Sequence, residues 1–362
     1  MKSNKQLIQQ WILLLTILIS FSCGGDDEGS NIDNLYENGV FITNEGPFQT
    51  GTGTVSFYDR STQEVTNGIF EAKNGRPLGN IVQSMQIHNE LGYVVVNNSN
   101  KMEVVDPRDF SSVGVVENLE QPRYFLGIDD DKGYVSLWGS TGLDGKVAVV
   151  DLTSFSVTKT IDTGIGSEEM ARVGDRVYVC NSGVFGVDNT LSVIDVTTDE
   201  LITSIEVGDN PKNIEIDMNG FLWVACTGAK IFNEDFSINL EESTSGRLVM
   251  VDPSNNEVQG EFVFEDVSLS PSRLSINNSG NTLFYLLGGS VFSQSVNSMT
   301  PSTTPIISGF FYGLGIDPVE NLIYASDAGD FASDGQVMRF NSDGTLIDTF
   351  QVGVIPGDFF FN

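Results

Sequence analysis

Basic side chains are scarce in this sequence. The chain has 18 lysine and arginine residues against 49 aspartate and glutamate residues, which gives a net charge of −31 at pH 7. A surface with this charge repels nucleic acids and anionic lipids. We therefore expect no nucleic-acid partner, and we expect any attachment to a membrane to depend on a covalent lipid.

Histidine and cysteine, which most metal sites and many nucleophilic sites require, are also scarce. His88 is the only histidine, and there are three cysteines. The sequence has no G-x-S-x-G nucleophile elbow, no glycine-rich phosphate loop and no C-x-x-C pair. The 49 acids leave a catalytic carboxylate pair conceivable, but abundance alone identifies no pair. We therefore predict neither an enzyme nor a cofactor.

The cysteines give little support to redox chemistry. Cys180 and Cys226 end two similar segments, "VYVC" and "LWVAC", but they lie one position out of register with each other. Cysteine is among the residue types that are most often buried, so we predict two small, buried free thiols. A disulfide, which an oxidising compartment would allow, is the alternative.

Long apolar runs are missing except near the start of the chain. Lys2 and Lys5 precede "WILLLTILISF" at residues 11–21, a stretch too short to span a bilayer. This order predicts a signal peptide over residues 1–22, followed by a linker over residues 23–38 and a folded domain over residues 39–362.

Cys23 follows this signal and precedes "GGDDEGS". The small residue before the cysteine resembles the lipidation box of bacterial lipoproteins, although Ser20 stands where that box usually has leucine. The acidic segment after the cysteine resembles the export signal of surface lipoproteins of Bacteroidota. This resemblance implies lipidation at Cys23, a flexible lipidated linker and an outer-membrane lipoprotein exposed at the cell surface. The alternative is a cleaved soluble signal with an incidental cysteine.

A unit of roughly 40 to 50 residues recurs seven times after the linker. Each copy has a short apolar strand, a polar loop, a second strand, a turn, a third strand, and a glycine- or proline-containing turn into a fourth. The first strands begin with "VFITN", "YVVVN", "YVSLW", "VYVCN", "LWVAC", "LFYLL" and "LIYAS". The second strands end in Asp or Asn in six copies, as tight turns favour; the sixth copy is degenerate.

The periodicity predicts an all-β fold. The strands are almost continuously apolar, as in sheets packed on both faces, and we find no convincing 3.6-residue period. Four strands in a repeat of this length are typical of a β-propeller blade. We therefore predict a seven-bladed β-propeller of four-stranded antiparallel blades.

The C-terminal segment "GDFFFN" occupies the position of the fourth strand in the repeat. Because the chain opens within a blade, we expect this segment to be the innermost strand of the first blade and to close the ring. Phe359, Phe360 and Phe361 are then expected to be buried, each contributing about 1.5 to 3 kcal/mol.

The fourth copy, "VYVCN" to "VGDNPKNIEI", resembles the YVTN repeat of YncE-like propellers, which has a Y-V-x-N strand, a V-x-V-I-D strand and a V-G-x-x-P turn. Together with the lipoprotein signal, the chain is similar to surface propeller lipoproteins of Bacteroidota of the corrinoid-binding BtuG type. That resemblance implies capture of a small nutrient for a TonB-dependent transporter. No short motif separates corrinoid binders from the rest of that group, so the ligand is not carried over.

One face of the predicted ring has long loops with aromatic residues. The loops between first and second strands share this face with the glycine- and proline-containing turns, whereas the opposite face has short turns. Long aromatic loops on one rim suggest a binding surface, although the rings could instead plug the channel. The aromatic candidates are Phe48, Trp138, Phe185, Phe232, Phe236 and Phe331.

Charged residues begin several innermost strands and are expected at the channel mouth: Arg123, Glu168, Glu169, Lys212, Arg273 and Asp358. Arg123, with the adjacent Tyr124, and Arg273 are candidates for binding an anionic ligand, although such groups often pair with acids instead. The loop "DAGDFASD" offers Asp327, Asp330 and Asp334 as weak candidates for calcium, without the spacing of an EF-hand.

Three functions remain after these observations. The first is a surface lipoprotein that captures a small nutrient, such as a corrinoid, for a TonB-dependent outer-membrane transporter. The second is a protein- or glycan-binding surface module. The third is a propeller hydrolase or lactonase, which has no recognised catalytic residues.

Overall fold

Seven antiparallel sheets surround a central channel in the computed structural model, which describes residues 34–298 and 300–362. The predicted signal peptide and Cys23 lie outside these residues. Within them, no helix has the length and apolar character needed to cross a membrane. The predicted seven-bladed β-propeller is confirmed.

The first four blades follow one another along the chain, and each is a four-stranded sheet. Blade 1 contains β1 (Gly39–Asn44), β2 (Thr54–Asp59) and β3 (Val65–Thr66), and its fourth strand is the C-terminal β27 (Pro356–Phe361); helix α1 (Ile69–Asn74) follows β3. Blade 2 contains β4 (Val82–His88), β5 (Leu91–Val96), β6 (Lys101–Val105) and β7 (Ser112–Glu117), with a 3₁₀ turn at Asn97–Ser99. Blade 3 contains β8 (Pro122–Gly127), β9 (Lys132–Leu137), β10 (Gly145–Asp151) and β11 (Ser156–Thr163). Blade 4 contains β12 (Ser167–Val173), β13 (Arg176–Asn181), β14 (Thr190–Asp195) and β15 (Glu200–Glu206).

The last three blades complete the ring. Blade 5 contains β16 (Pro211–Ile216), β17 (Leu222–Cys226), β18 (Arg247–Asp252) and β19 (Glu257–Val263). Blade 6 contains β20 (Pro271–Ile276), β21 (Thr282–Leu287) and β22 (Ser290–Ser295). Blade 7 contains β23 (Gly313–Ile316), β24 (Ile323–Asp327), β25 (Asp334–Phe340) and β26 (Leu346–Val354), and the chain ends with β27 (Pro356–Phe361).

The hydrophobic core is divided among the interfaces between blades. Seven clusters of buried side chains each join two neighbouring blades, including blade 7 to blade 1. The strand next to the innermost one carries a buried aromatic ring in every blade: Phe41, Tyr93, Tyr134, Tyr178, Trp223, Tyr285 and Tyr324. The repeated pattern in the sequence therefore reflects a packing requirement that recurs at each interface.

The C-terminal strand closes the ring as predicted. β27 pairs antiparallel with β1, placing Phe360 opposite Phe41, and the order across blade 1 is β27-β1-β2-β3. Arg60, after β2, also reaches blade 7, since its Nε donates to Asp317 Oδ2 at 2.9 Å. Its guanidinium donates as well to the backbone oxygen of Asn362 at 2.7 Å. The ring is thus closed by the strand pairing of β1 with β27 and by the side-chain contacts of Arg60.

The expected burial of all three terminal phenylalanines is wrong for two of them. Phe359 is buried, but Phe360 and Phe361 are only partly buried. Phe360 borders a cavity of about 180 Å³ in the channel, and Phe361, together with Phe359, borders one of about 280 Å³. Phe360 and Phe361 thus stay partly open to the channel, although each packs against a cluster between two blades.

Two blades depart from the regular unit. In blade 1 the outer strand β3 has two residues, and the helix α1, which was not predicted, buries Ile69 and Phe70 in the cluster between blades 1 and 2. In blade 6 the described residues form three strands, in agreement with the degenerate sixth copy. Tyr36, which the sequence analysis assigned to the linker, packs on the ring of Phe57 at 5.0 Å.

Candidate ligand-binding site at the channel mouth

A cavity of about 360 Å³ lies at the channel mouth, on the face predicted from the loop lengths. The innermost strands position much of its lining, because the second residue of five of them borders it: Gln83, Arg123, Glu168, Lys212 and Ser272. The third residues of three of these strands also border it: Tyr124, Asn213 and Arg273. Segments outside the innermost strands contribute Glu45, Phe48, Trp138 and Tyr312. The mouth therefore combines equivalent backbone positions from different blades.

Glu168 organises one wall of this cavity. Its Oε2 accepts a hydrogen bond from Arg123 Nε at 3.0 Å, and its Oε1 accepts one from Trp138 Nε1 at 3.2 Å. Arg123 also donates to Gln83 Oε1, and its Cζ lies 4.1 Å from the centroid of the Trp138 ring. Because Glu168 is buried, it fixes both the cation and the indole.

Glu45 has the same role on another wall. Its Oε1 accepts a hydrogen bond from the hydroxyl of Tyr312 at 2.8 Å and lies 3.8 Å from Arg273 Nη2. Arg273 donates from Nε to the Tyr312 carbonyl at 3.1 Å, and its Cζ lies 5.2 Å from the Tyr312 ring centroid. Burial, followed by the charge of Glu45, raises the pKa of Tyr312 to about 12, so the phenol stays protonated. Both walls thus consist of an acid, an arginine and an aromatic ring.

Lys212 differs from the two arginines. It is the second residue of β16, lines the same cavity and is exposed to it. Its removal from bulk water lowers the pKa of its amino group; Glu168 opposes this effect, and Arg123 and Arg273 add to it. The cavity lining therefore carries three cationic side chains and two acidic ones in a chain whose net charge is −31.

The channel below the mouth has the opposite character. Tyr124 and Arg273 border both the mouth cavity and a lower cavity of about 280 Å³, which Glu169, Glu215 and Asp358 also line. Burial raises the pKa of Glu169 and of Glu215 to about 8, and that of Asp358 to about 6. Hydrogen bonds from Asn213 Nδ2 at 2.6 Å and Ile214 N at 3.1 Å partly offset the effect at Glu169. Tyr124 and Arg273 thus lie between a cationic mouth and a lower channel lined by acidic residues. Glu169 and Asp358, which were expected at the mouth, line this lower channel instead.

The structure brings five of the nine predicted binding residues together around the mouth cavity: Phe48, Arg123, Tyr124, Trp138 and Arg273. Phe185 is exposed and contacts the Trp138 ring edge-on, with 6.5 Å between centroids. Phe331 lines a separate groove of about 430 Å³ between blades 6 and 7. Phe232 and Phe236 are exposed in the loop between β17 and β18 and belong to neither lining.

Glu45, Phe310 and Tyr312 lie at or beside the mouth but were not among the predicted binding residues. Tyr312 stands just before β23. Phe310 itself is 89% exposed and lines the groove with Phe331. Glu45 follows the first strand directly, and only its distant contact with Tyr312 reveals its role. An alignment of the seven copies on their innermost strands would place Tyr312 at the mouth.

The aspartates considered for calcium do not form a metal site. Within residues 34–298 and 300–362, no three His, Cys, Asp or Glu side chains are grouped closely enough to hold a metal ion. Asp327 instead accepts a hydrogen bond from Gly329 N at 2.8 Å, and Asp330 accepts one from Ser333 N at 2.8 Å. The carboxylates of Asp327 and Asp330 stabilise the turns of their own loop. The geometry therefore gives no support to the weak candidates Asp327, Asp330 and Asp334 as calcium ligands.

The only histidine lies away from the mouth. His88 ends β4 at the opposite end of the strand, and its Nε2 is 2.8 Å from the carbonyl oxygen of Asp129. Cys180 and Cys226 are buried free thiols in the interface between blades 4 and 5, as predicted. The histidine and the two cysteines therefore have structural roles at positions outside the mouth cavity.

Comparison with known proteins identifies the family and the fold. The model of a family described as a domain of unknown function, DUF5074, matches residues 38–362, and the chain belongs to that family. No curated protein matches the chain.

Solved structures resemble the chain at low sequence identity. A quinoprotein alcohol dehydrogenase-like protein from Bacteroides thetaiotaomicron is 11% identical with a TM-score of 0.65, covering 90% of this chain and 78% of that one. Hydrazine synthase from Kuenenia stuttgartiensis is 18% identical with a TM-score of 0.52, covering 70% and 74%. The β-propeller domain of Cps50 (Swd1) from Myceliophteria thermophila is 12% identical with a TM-score of 0.53, covering 75% and 86%. These similarities concern the propeller fold alone.

Proposed function

We propose that this member of the DUF5074 family is a binding protein that captures a small molecule in the cavity at the channel mouth. The observation that carries this proposal is the arrangement of Arg123, Trp138 and Glu168. A buried acid there holds a guanidinium and an indole in fixed positions beside an open cavity of about 360 Å³. Fixed polar groups beside aromatic walls are the usual composition of a ligand pocket.

The geometry favours binding over catalysis. The two acids of the mouth, Glu45 and Glu168, each accept hydrogen bonds from neighbouring side chains. A carboxylate held in this way positions other groups and is poorly suited to take a proton from a substrate. No observation favours the hydrolase alternative.

The cellular setting is part of the proposal. A lipid on Cys23 would tether the propeller to the outer membrane at the cell surface, and the acidic surface gives no other means of attachment. The resemblance of the repeat to YncE-like propellers, and of the lipoprotein signal to the BtuG type, supports delivery of a captured nutrient to a TonB-dependent transporter. A corrinoid is one candidate nutrient.

The test begins with protein purified from its native cells. Mass spectrometry of the extracted ligand is expected to identify a small molecule. Trp138→Leu should lower the amount of bound ligand about tenfold, because a ligand that stacks on the Trp138 ring gains about 1–2 kcal/mol of binding free energy. Leu201→Ala, at an exposed position on the outer strand β15, is the control and should retain the ligand. Equal retention by both variants would exclude the mouth as the site.

A second function is favoured by a separate observation. Besides Phe48 at the cavity, five phenylalanine rings are exposed on or beside the loops of the mouth face: Phe185, Phe232, Phe236, Phe310 and Phe331. Exposed rings on one rim are typical of surfaces that bind a protein or a glycan. Co-purification with a transporter, or retention on an extracellular polymer, would support such a role in addition to small-molecule capture.

A further inference from the structure

The positive charge of Lys212 has no counter-ion in the mouth cavity. Among residues 34–298 and 300–362, its amino group makes no hydrogen bond or ion pair. Glu168 is the acid whose charge acts on Lys212. Both of its carboxylate oxygens already accept hydrogen bonds, from Arg123 and Trp138. The ammonium group is therefore directed into a cavity where no protein group neutralises it.

The charge balance of the lining leads to the same point. Arg123 pairs with Glu168, and Arg273 lies 3.8 Å from Glu45, so each arginine is matched by an acid. Lys212 is the third cation, and the described lining has no third acid. One positive charge therefore remains, and it lies within the low-dielectric walls of a cavity, where an ionic contact is stronger than at a flat surface.

The acidic surface of the protein does not prevent an anion from reaching this site. At physiological ionic strength the field of surface charges is screened over about 8 Å, whereas charges inside a cavity are screened much less. An anion at the mouth would therefore respond mainly to Lys212, Arg123 and Arg273.

The walls indicate the rest of the ligand. Phe48 is exposed and borders the cavity, and the rings of Trp138 and Tyr312 form two further walls. Flat aromatic walls favour a planar apolar body.

We infer that the ligand captured at the channel mouth is an organic anion, with a carboxylate or phosphate group at Lys212 and a planar apolar body between the aromatic walls. This inference rests on the proposed function. Lys212 makes the charged contact, and Arg123 and Arg273 add secondary donors from positions that their acids fix. Lys212 thus selects for charge, while the rings select for shape.

The experiment uses probes that share one body and differ in charge. 1-Naphthoate and 1-naphthyl phosphate are titrated into the full mature protein by isothermal calorimetry, with 1-naphthamide as the neutral match. The anions are expected to bind about tenfold more tightly than the amide, because a hydrogen bond to a charged group contributes about 1.5–3 kcal/mol. Comparison of the two anions distinguishes a carboxylate site from a phosphate site.

Variants assign the charge effect to one residue. Lys212→Met should reduce the affinity for both anions about tenfold while leaving the amide affinity within about twofold. Lys212→Arg, which keeps the charge, should restore most of the anion affinity. Lys159→Met removes an exposed lysine of the outer strand β11 and is the matched control, so it should change neither affinity.

The outcomes separate this inference from the proposed function. Equal affinity for anion and amide, or an anion affinity unchanged in Lys212→Met, would overturn the anion assignment while leaving capture at the mouth intact. A neutral or cationic molecule recovered from the native protein would do the same. Failure of every probe to bind, together with no ligand recovered from the native protein, would overturn both.

Discussion

The guanidinium group of Arg123 lies over the indole ring of Trp138, with 4.1 Å from Cζ to the ring centroid. The two residues come from β8 and from the residue after β9, and both donate hydrogen bonds to Glu168 of the next blade. A single carboxylate therefore couples blades 3 and 4 at the mouth. It also determines which atoms of Arg123 and Trp138 remain available to a ligand.

We expect Glu168→Gln to loosen both partners. The amide has one acceptor oxygen and no charge, so Arg123 loses its counter-ion while it stays largely buried. The free energy of unfolding should fall by about 1–3 kcal/mol, measured as a shift of the urea midpoint. Ligand affinity should fall as well, because the indole loses its hydrogen bond. Glu206→Gln, at an exposed position on β15, is the control, and an equal effect of the two variants would contradict the coupling.

Ring closure by β27 can be tested at Phe359. Its side chain is buried in the cluster between blades 7 and 1, and its ring centroid is 6.0 Å from that of Tyr324. Phe359→Ala should lower the free energy of unfolding by about 3–5 kcal/mol, whereas Phe310→Ala, on an exposed ring, should change it by less than about 0.5 kcal/mol.

Deletion of residues 357–362 is the more severe test of the same closure. Without this segment β1 would present an unpaired edge toward the channel, and the Arg60 contact with Asn362 would be lost. We expect the shortened protein to unfold or aggregate. An unchanged melting temperature would show that the ring does not depend on β27.

The fold was largely predictable because the same packing requirement recurs at each interface between blades. Tyr93, Tyr134 and Tyr178 recur at equivalent strands since every interface needs a large apolar residue there. The helix α1 was missed because its six residues are too few to show a helical period, and glycines in the left-handed region flank it. Departures from the repeat carry no periodic signal, so their local structure was not predictable from it.

The site was predictable in part for the same reason. Arg123 is the second residue of β8 and Arg273 the third of β20, close to the strand ends that the repeat places at the mouth. Their ion pairs with Glu168 and Glu45 join segments that are distant in the sequence, and a single sequence does not reveal such pairs. The same holds for the hydrogen bond from Tyr312 to Glu45. The repeat therefore located the site, and only the three-dimensional contacts distinguished Lys212 from the arginines.

The acids of the lower channel predict a pH dependence of stability. Burial raises the pKa of Glu215 to about 8 from an ordinary value of 4.5, so the folded protein binds this proton more tightly than the unfolded chain does. Its contribution is therefore fully present below about pH 4.5 and is lost as the pH rises through 8. Glu169 and Asp358, which line the same cavity, act in the same direction.

Glu215→Gln should remove part of that dependence, because the neutral amide resembles the protonated acid. The variant and the native protein should unfold at similar urea concentrations at pH 5. At higher pH the variant should become the more stable one, by up to about 1.4 kcal/mol per pH unit until Glu215 is ionised. A difference between the two proteins that is constant across this range would argue against the buried acid.

The two buried thiols should be unreactive in the folded protein. Cys180 and Cys226 are fully buried, and burial raises the pKa of both thiols. In a chain with Cys23 replaced by serine, a thiol-reactive dye should label neither residue under native conditions and both after unfolding in urea. A reducing agent should leave the melting temperature unchanged, whereas a drop in its presence would indicate a disulfide.

The rim phenylalanines distinguish a ligand confined to the cavity from one that extends over the loops. Phe232 and Phe236 are exposed and lie outside the cavity lining, whereas Phe48 is exposed and borders the cavity. Replacing Phe232 and Phe236 together by serine should leave small-molecule affinity within about twofold and stability within about 0.5 kcal/mol. Phe48→Ser should cost about tenfold in affinity at similar stability, since it removes an aromatic wall. If the double variant instead loses as much affinity as Phe48→Ser, the ligand also contacts the loop between β17 and β18. Loss of binding only to an extracellular polymer or to a protein partner would assign that loop to the second proposed function, because exposed rings outside the cavity can then serve only a partner larger than the cavity.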